Sequence, residues 1–90
     1  MTFPTITIEL YGMPRARAGV RELVVSAGTV GDALAEVVAN CPALADVVSA
    51  DGRLASQYLL SLDGKHFVSN VLQPLQSGDR LLLLSSDAGG

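Results

Sequence analysis

The sequence contains few of the residues that bind metals or form disulfide bonds. Its 90 residues include one cysteine, one histidine and no tryptophan. A single cysteine excludes an intrachain disulfide framework and any multi-cysteine zinc or iron–sulfur site. We therefore predict no metal site. Cys41, on the apolar stripe of a predicted helix, is interpreted as a small buried hydrophobe, and His66, which has no spaced second ligand, as a surface residue.

Charged residues and long apolar runs are also scarce. Only 17% of the residues are charged, and six basic residues against nine acidic ones leave a net charge of −3. No cluster of lysine and arginine favours a nucleic acid or an anionic membrane as partner. No apolar stretch approaches the ~20 residues needed to cross a bilayer, and the N-terminus lacks a signal-peptide pattern. We therefore expect a small soluble cytoplasmic domain with no nucleic-acid and no membrane partner.

The first half of the chain predicts a hairpin followed by helices. Alternating apolar residues predict a strand over Thr5–Tyr11, and valine content favours a second strand over Val20–Val25. Glycines and proline predict a loop over residues 12–19, in which Arg15 and Arg17 form a minor solvated basic spot. The motif Thr29-Val30-Gly31-Asp32 predicts the start of the main helix, which ends before Pro42. A second short helix is predicted over Pro42–Ser49.

The second half predicts three more strands. A strand over Tyr58–Leu62 meets the turn signal Asp63-Gly64 and returns over Lys65–Val68. A compact turn over Pro74–Asp79 leads to the last strand, Arg80–Ser85. This order predicts an α+β domain in which one main helix packs on one face of a mixed sheet, with the first and last strands parallel. We place Tyr11 and Tyr58 at the periphery of that sheet.

The landmarks of the chain, in their order, resemble the MoaD/ThiS family of sulfur-carrier proteins. The matching segments are Tyr11-Gly12, Gly28-Thr29-Val30-Gly31-Asp32-Ala33-Leu34, Leu62-Asp63-Gly64, Pro74-Leu75-Gln76-Ser77-Gly78-Asp79-Arg80 and Ala88-Gly89-Gly90. The resemblance spans essentially the whole domain. Within the family, the sequence most resembles the small subunit of molybdopterin synthase. It implies a ubiquitin-like β-grasp with four to five strands over residues 1–85, and a mobile C-terminal tail over residues 86–90.

The resemblance also implies a chemistry at the C-terminus. In such carriers a partner enzyme uses ATP to adenylate the terminal carboxylate, here on Gly90, and sulfur delivery converts it to a thiocarboxylate. Gly89 and Gly90 let an extended tail enter a narrow channel because they have no Cβ atoms. The chain itself has no phosphate-binding loop. We therefore expect a carrier that binds no cofactor, is not itself an enzyme, and serves an E1-like adenylating enzyme and an acceptor enzyme or synthase large subunit.

The last strand predicts a surface for those partners. In a strand, Leu81 and Leu83 face one side of the sheet while Leu82 and Leu84 face the other. One pair packs on the helix, and the other forms an exposed apolar patch unless the segment Pro42–Gln57 covers it. The predicted partner-binding residues are Leu81, Leu82, Leu83, Leu84, Asp87 and Ala88.

Three function classes stay open on the sequence alone. The first is the sulfur carrier, with molybdopterin synthesis as the first pathway and thiamin, cysteine or a specialised metabolite as alternatives. The second is a ubiquitin-like protein modifier that is conjugated to lysines through Gly90. The third is a non-catalytic β-grasp binding module. Ser85-Ser86-Asp87 stands where family tails often carry a stiff apolar segment, so the activating enzyme stays unidentified.

Overall fold

The computed structural model, which describes residues 3–86, contains one mixed sheet in the order β2-β1-β5-β3-β4. The strands are β1 (Thr5–Leu10), β2 (Glu22–Ser26), β3 (Tyr58–Leu62), β4 (His66–Phe67) and β5 (Arg80–Ser85). β1 and β5 are parallel, and the other neighbouring pairs are antiparallel. The predicted α+β arrangement and the parallel pairing of the first and last strands are therefore confirmed.

The segment between β1 and β2 is a short helix, α1 (Met13–Ala18), so the prediction of a loop over residues 12–19 was wrong. Pro14 occupies the first turn, where its missing N–H is not needed, and its side chain is buried. Gly19 ends the helix at a φ of 75°, and its N–H donates to the Arg15 carbonyl. Pro14 and Gly19, on which the prediction of a loop rested, therefore lie in the first turn and at the end of this helix.

The main helix, α2 (Val30–Asn40), begins and ends as predicted. The Thr29 hydroxyl accepts a hydrogen bond from the Asp32 N–H at 3.1 Å, which satisfies one of the free amides of the first turn. Two further amides at this end, those of Val30 and Gly31, donate to carbonyls of residues 73 and 71. The loop before β5 thus completes the N-terminus of α2.

One hydrophobic core lies between the sheet and the helices. Its fully buried members come from the inward faces of the central strands, from α2 and from the 3-10 helix Pro42–Val47, and include Ile6, Ile8, Leu10, Leu34, Leu44, Val47, Leu60, Leu81 and Leu83. Each such side chain stabilises the fold by roughly 1.5–3 kcal/mol relative to an exposed position. Cys41 is also buried, as predicted.

The hairpin between β3 and β4 turns at Asp63-Gly64, as predicted. Both residues have positive φ, 56° and 70°, which is the type I′ geometry that matches strand twist. The returning strand is shorter than predicted, since β4 contains only His66–Phe67. Lys65, the only lysine of the sequence, is exposed in this turn.

Gly31 allows α2 to approach the loop before β5, and substitution of Gly31 tests this contact. A Cβ at Gly31 would lie 3.1 Å from the Val71 carbonyl oxygen and 3.2 Å from Val71 Cβ. Because that oxygen also accepts from the Gly31 N–H at 2.8 Å, moving it away weakens the hydrogen bond. We expect Gly31→Ala to lower the free energy of unfolding by about 1 kcal/mol, measured by urea denaturation.

Gly28→Ala is the matched control for Gly31→Ala. The closest atom to a Cβ at Gly28 is Phe3 Cδ1 at 3.5 Å, an ordinary van der Waals distance. We expect its unfolding free energy to stay within about 0.5 kcal/mol of the parent. Equal effects of the two substitutions would contradict the proposed role of the close approach at Gly31.

Candidate functional site

The structure divides the predicted partner-binding leucines between the two faces of β5. Leu81 and Leu83 are 0% exposed and lie in the core, so their inclusion in the partner-binding set was wrong. Leu82 and Leu84 are half-buried on the opposite face, which carries no helix. Asp87, Ala88, Gly89 and Gly90 lie outside the described residues.

An apolar patch occupies one half of the open sheet face and consists of Leu59, Phe67, Leu82 and Leu84. Leu59 pairs with Leu84 across β3 and β5, while Leu82 and Phe67 flank Ser61 on either side. Phe67 is 67% exposed and Leu59 36%. Exposed side chains of this size on neighbouring strands are typical of a surface that binds another protein.

The segment Pro42–Gln57 does not cover the apolar patch, which was the alternative that the sequence left open. Its 3-10 helix packs against α2 and α1, and Leu44 and Val47 point into the core. Leu59 and Phe67 therefore keep their exposed surface. The open apolar face predicted from β5 is confirmed, whereas its use by a partner stays a prediction.

The other half of the same face is polar. The Tyr11 hydroxyl donates to one oxygen of the Glu9 carboxylate, and the Arg80 guanidinium donates to the other. Glu22 lies 3.7 Å from the same guanidinium. The hydrogen bond from Tyr11, followed by Arg80, lowers the pKa of Glu9, and the same bond raises the pKa of Tyr11. Both glutamates beside Arg80 are thus ion-paired.

Hydrogen bonds hold the chain at the end of β5. Ser86 donates its N–H to the Gln57 carbonyl at 2.8 Å and its hydroxyl to the Ser56 carbonyl at 2.9 Å. Ser86 is the first residue of the predicted mobile tail, and it is anchored. The prediction of mobility therefore concerns residues 87–90, which lie outside the described part of the chain.

A buried tyrosine at the start of β3 joins three elements near this end of the sheet. Tyr58 is 4% exposed, so its placement at the periphery was wrong. Its hydroxyl donates to Asp46 Oδ1 at 2.8 Å and accepts from Arg17 Nη1 at 3.0 Å. Arg17 Nη1 also lies 2.8 Å from Asp46 Oδ2. Arg17 is therefore an ion-paired residue rather than a member of a solvated basic spot.

Two further properties concern residues 3–86 alone. No three or more of their His, Cys, Asp and Glu side chains form a group that could hold a metal ion. Among the same residues, no helix combines the length and apolarity needed to cross a bilayer.

Comparisons with known proteins find similarity at the level of solved structures. No protein-family model and no curated protein matches the chain. Small archaeal modifier protein 1 from Haloferax volcanii, known from a crystal structure, has 29% sequence identity to this chain. The structural alignment covers 96% of this chain and 99% of that chain, with a TM-score of 0.83. CysO in the BexX/CysO complex from Amycolatopsis orientalis is 19% identical over 94% and 99%, with a TM-score of 0.78.

A third similar structure is a putative molybdopterin converting factor, subunit 1, from Pyrococcus furiosus. It is 18% identical, covers 91% of this chain and 97% of that one, and has a TM-score of 0.74. The described fold is therefore a ubiquitin-like β-grasp, as predicted. Its structural neighbours are ubiquitin-like carriers and modifiers of the MoaD/ThiS type, which confirms the resemblance seen in the sequence.

The two faces of β5 predict unequal losses of stability on truncation of adjacent leucines. Leu83→Ala leaves a cavity in the core, and we expect it to lower the free energy of unfolding by about 2–5 kcal/mol. Leu82→Ala removes a half-buried side chain from the open face, and we expect a loss of about 1 kcal/mol or less. Urea denaturation of both variants measures the difference. A larger loss for Leu82→Ala would contradict the assignment of the two faces.

The Asp46 network predicts a contribution to stability that depends on pH. Hydrogen bonds from Tyr58 and then Arg17 lower the pKa of Asp46 below its unfolded value of 3.8. A carboxyl group with a depressed pKa stabilises the fold above its unfolded pKa, and this stabilisation is lost as the pH falls through the folded pKa. We therefore expect Asp46→Asn to be less stable than the parent at neutral pH, with a difference that shrinks below pH 3.8.

Urea denaturation of the parent and Asp46→Asn over a series of pH values measures this difference. Glu9 and Asp51, whose pKa values are also lowered, are present in both proteins and cancel in the comparison. Tyr58→Phe, which keeps the buried ring and removes the hydroxyl, should reproduce part of the effect. A difference between parent and Asp46→Asn that does not change with pH would contradict the prediction.

Proposed function

We propose that this protein is a sulfur carrier whose C-terminal carboxylate, on Gly90, becomes a thiocarboxylate and donates sulfur to a biosynthetic reaction. The observation that carries the proposal is the position of Ala88-Gly89-Gly90 in the sequence, two residues after the last strand of a MoaD/ThiS-type β-grasp. The similarity to the archaeal modifier protein extends over 96% of this chain. It therefore includes the strand that leads to the glycines.

The proposed chemistry explains why two glycines follow the domain. A carboxylate is a poor electrophile, so the partner enzyme first joins it to AMP and releases pyrophosphate from ATP. Sulfide from a sulfur donor then attacks the acyl carbon, AMP leaves, and a thiocarboxylate remains. Gly89 and Gly90 have no side chain to obstruct the approach of the activating groups.

Partner proteins carry out the activation and receive the sulfur in this chemistry. ATP binds to the activating enzyme, and this chain supplies only the carboxylate. We propose an E1-like adenylating enzyme and an acceptor enzyme or synthase large subunit as partners. In the solved structure from Amycolatopsis orientalis, CysO, which has a similar fold, forms a complex with the protein BexX.

The open sheet face supports docking by these partners. The apolar patch includes Leu82 and Leu84 of β5, the strand from which the tail continues. Ser86 anchors the chain two residues beyond Leu84. A partner that binds the apolar patch is therefore beside the point from which the glycines extend, and we propose that Asp87 and Ala88 contribute to the same contact.

Molybdopterin synthesis is the first pathway that we propose for the donated sulfur. The support is the resemblance of the Ala88-Gly89-Gly90 ending and of the chain length to the small subunit of molybdopterin synthase. Thiamin, cysteine and specialised sulfur-containing metabolites are the alternative destinations.

Conjugation of Gly90 to lysines is the second candidate function. One specific observation favours it, since the relative at 29% identity is described as a modifier protein. Both functions begin with the same acyl-adenylate, but they differ in the product. A carrier ends as a free thiocarboxylate, whereas a modifier ends in an isopeptide bond to another protein.

Intact mass spectrometry tests the carrier chemistry. The protein is incubated with candidate activating enzymes, ATP and a sulfur donor, and we expect a mass increase equal to the replacement of one oxygen by sulfur, localised to Gly90. Deletion of Gly90 or Gly90→Val should abolish this increase without changing the free energy of unfolding. Ala50→Val, which places the same side chain at an exposed turn, is the control and should react as the parent does.

The outcomes separate the three function classes. Higher-mass conjugates of this chain in cell extracts, lost on deletion of Gly90, would favour the modifier. A parent protein that gains no sulfur, together with full biological activity of the Gly90 deletion, would contradict both functions and leave a binding module.

A further inference from the structure

An arginine cleft lies on the polar half of the open sheet face, where the sequence suggested only a minor basic spot. Its volume is ≈ 390 Å³, and its lining residues are Glu9, Tyr11, Arg15, Arg21, Glu22 and Arg80. Three arginines against two glutamates leave one excess positive charge in a chain whose net charge is −3. The sign of the local charge is thus opposite to that of the whole protein.

One cation of the cleft, Arg80, pairs with both of its glutamates. Arg80 pairs with Glu9 and lies 3.7 Å from Glu22, and Tyr11 donates to the remaining oxygen of Glu9. The Arg80 guanidinium and the Tyr11 hydroxyl therefore bind Glu9, and the same guanidinium lies within ion-pair distance of Glu22. Arg15 and Arg21 form no salt bridge with either glutamate, and the five charges of the cleft sum to +1.

Arg15 is held in place without an ion pair. Its Nε donates to the Leu10 carbonyl at 2.8 Å, and its guanidinium carbon lies 5.3 Å from the centre of the Tyr11 ring. These contacts leave its two terminal nitrogens available as donors. A guanidinium fixed in this way loses little conformational freedom when it binds a carboxylate.

Arg21 is the second available cation. Its residue is exposed, and its side chain makes neither an ion pair nor a hydrogen bond with any of residues 3–86. Its backbone is fixed, because the Arg21 carbonyl accepts from the Leu10 N–H at 2.8 Å. Leu10 of β1 therefore holds both arginines, since its carbonyl binds the Arg15 side chain and its N–H binds the Arg21 carbonyl. The guanidinium groups of Arg15 and Arg21 have no ion-pair partner among residues 3–86.

We infer that the arginine cleft binds acidic side chains of a partner protein that also covers the apolar patch. Guanidinium groups bind carboxylates through paired, charge-assisted hydrogen bonds. Glu9 is the direct neighbour of Leu82 in the β1–β5 register, so the cleft and the apolar patch adjoin on one face. A small anion would fill only the cleft, whereas a protein surface with acidic and apolar residues side by side matches both.

The inference extends the proposed function by stating the chemistry of the partner surface, and it rests on that function only in expecting partner proteins. Charge complementarity of this kind chiefly accelerates association and selects partners. Because ions screen exposed charges beyond a Debye length of about 10 Å at 0.1 M salt, binding through the cleft weakens as salt is added.

A peptide titration followed by NMR tests the inference without the activating enzyme. The probe is a synthetic hexaglutamate peptide added to the ¹⁵N-labelled full chain. We expect shifts at the amides of Tyr11 and Arg21 and at the Arg15 Nε–H, and we expect them to diminish with added salt. Arg21→Glu should weaken binding about fivefold, since one exposed charge pair contributes up to about 1 kcal/mol.

Arg53→Glu is the matched control, because it makes the same change in net charge. Arg53 is exposed, lies in the turn before β3 and is not part of the cleft. We expect it to bind the peptide as the parent does. Equal loss in both variants, or shifts centred on Arg17 or Arg53, would overturn the inference in favour of non-specific attraction.

Two further measurements would overturn the inference in favour of other occupants. Inorganic phosphate that shifts the same resonances as strongly as the peptide, at equal ionic strength, would identify a small-anion site. Self-association of the free protein that Arg21→Glu abolishes would identify a second copy of the chain as the occupant. Neither result involves the mass change at Gly90, so the proposed function and this inference fail separately.

Discussion

The parallel pairing of β1 with β5 is the contact on which the rest of the structure depends. It joins residues 73 positions apart, Thr7 and Arg80, and places the last strand between two strands that precede it in the chain. β5 fills the core with Leu81 and Leu83 on one face and supplies Leu82 and Leu84 to the apolar patch on the other. Stability and the proposed binding surface thus come from alternate residues of one strand.

Patterns within one element were predictable from the sequence. The alternation of β1, the capping motif at Thr29 and the type I′ turn at Asp63 each depend on a few neighbouring residues, and the structure confirms them. The helix α1 was missed because proline and glycine at the ends of a six-residue segment are equally typical of a loop. Tyr58 was misplaced because its partners, Arg17 and Asp46, belong to two other elements.

The candidate site was predictable only in part, for the same reason. Period-two spacing identified two faces of β5, but it could not decide which leucine pair the helix would cover. The arginine cleft is assembled from β1, α1, β2 and β5, and no local pattern links Arg21 to Arg80. Ion pairing determines which arginines can bind a partner, because Arg80 pairs with two glutamates and Arg17 pairs with Asp46. The charge that a partner meets is a property of the folded surface.

Under the proposed function, the position of Lys65 limits the side reactions of an activated C-terminus. It is the only lysine of the sequence, and it lies in the turn beyond the start of β5, whereas the chain continues toward Gly90 from the other end. The six residues of β5 separate these ends by roughly 17 Å at ~3.4 Å per residue. Under the proposed function, a newly formed acyl-adenylate finds few amines on its own chain, so self-acylation competes weakly with transfer of the acyl group to sulfur.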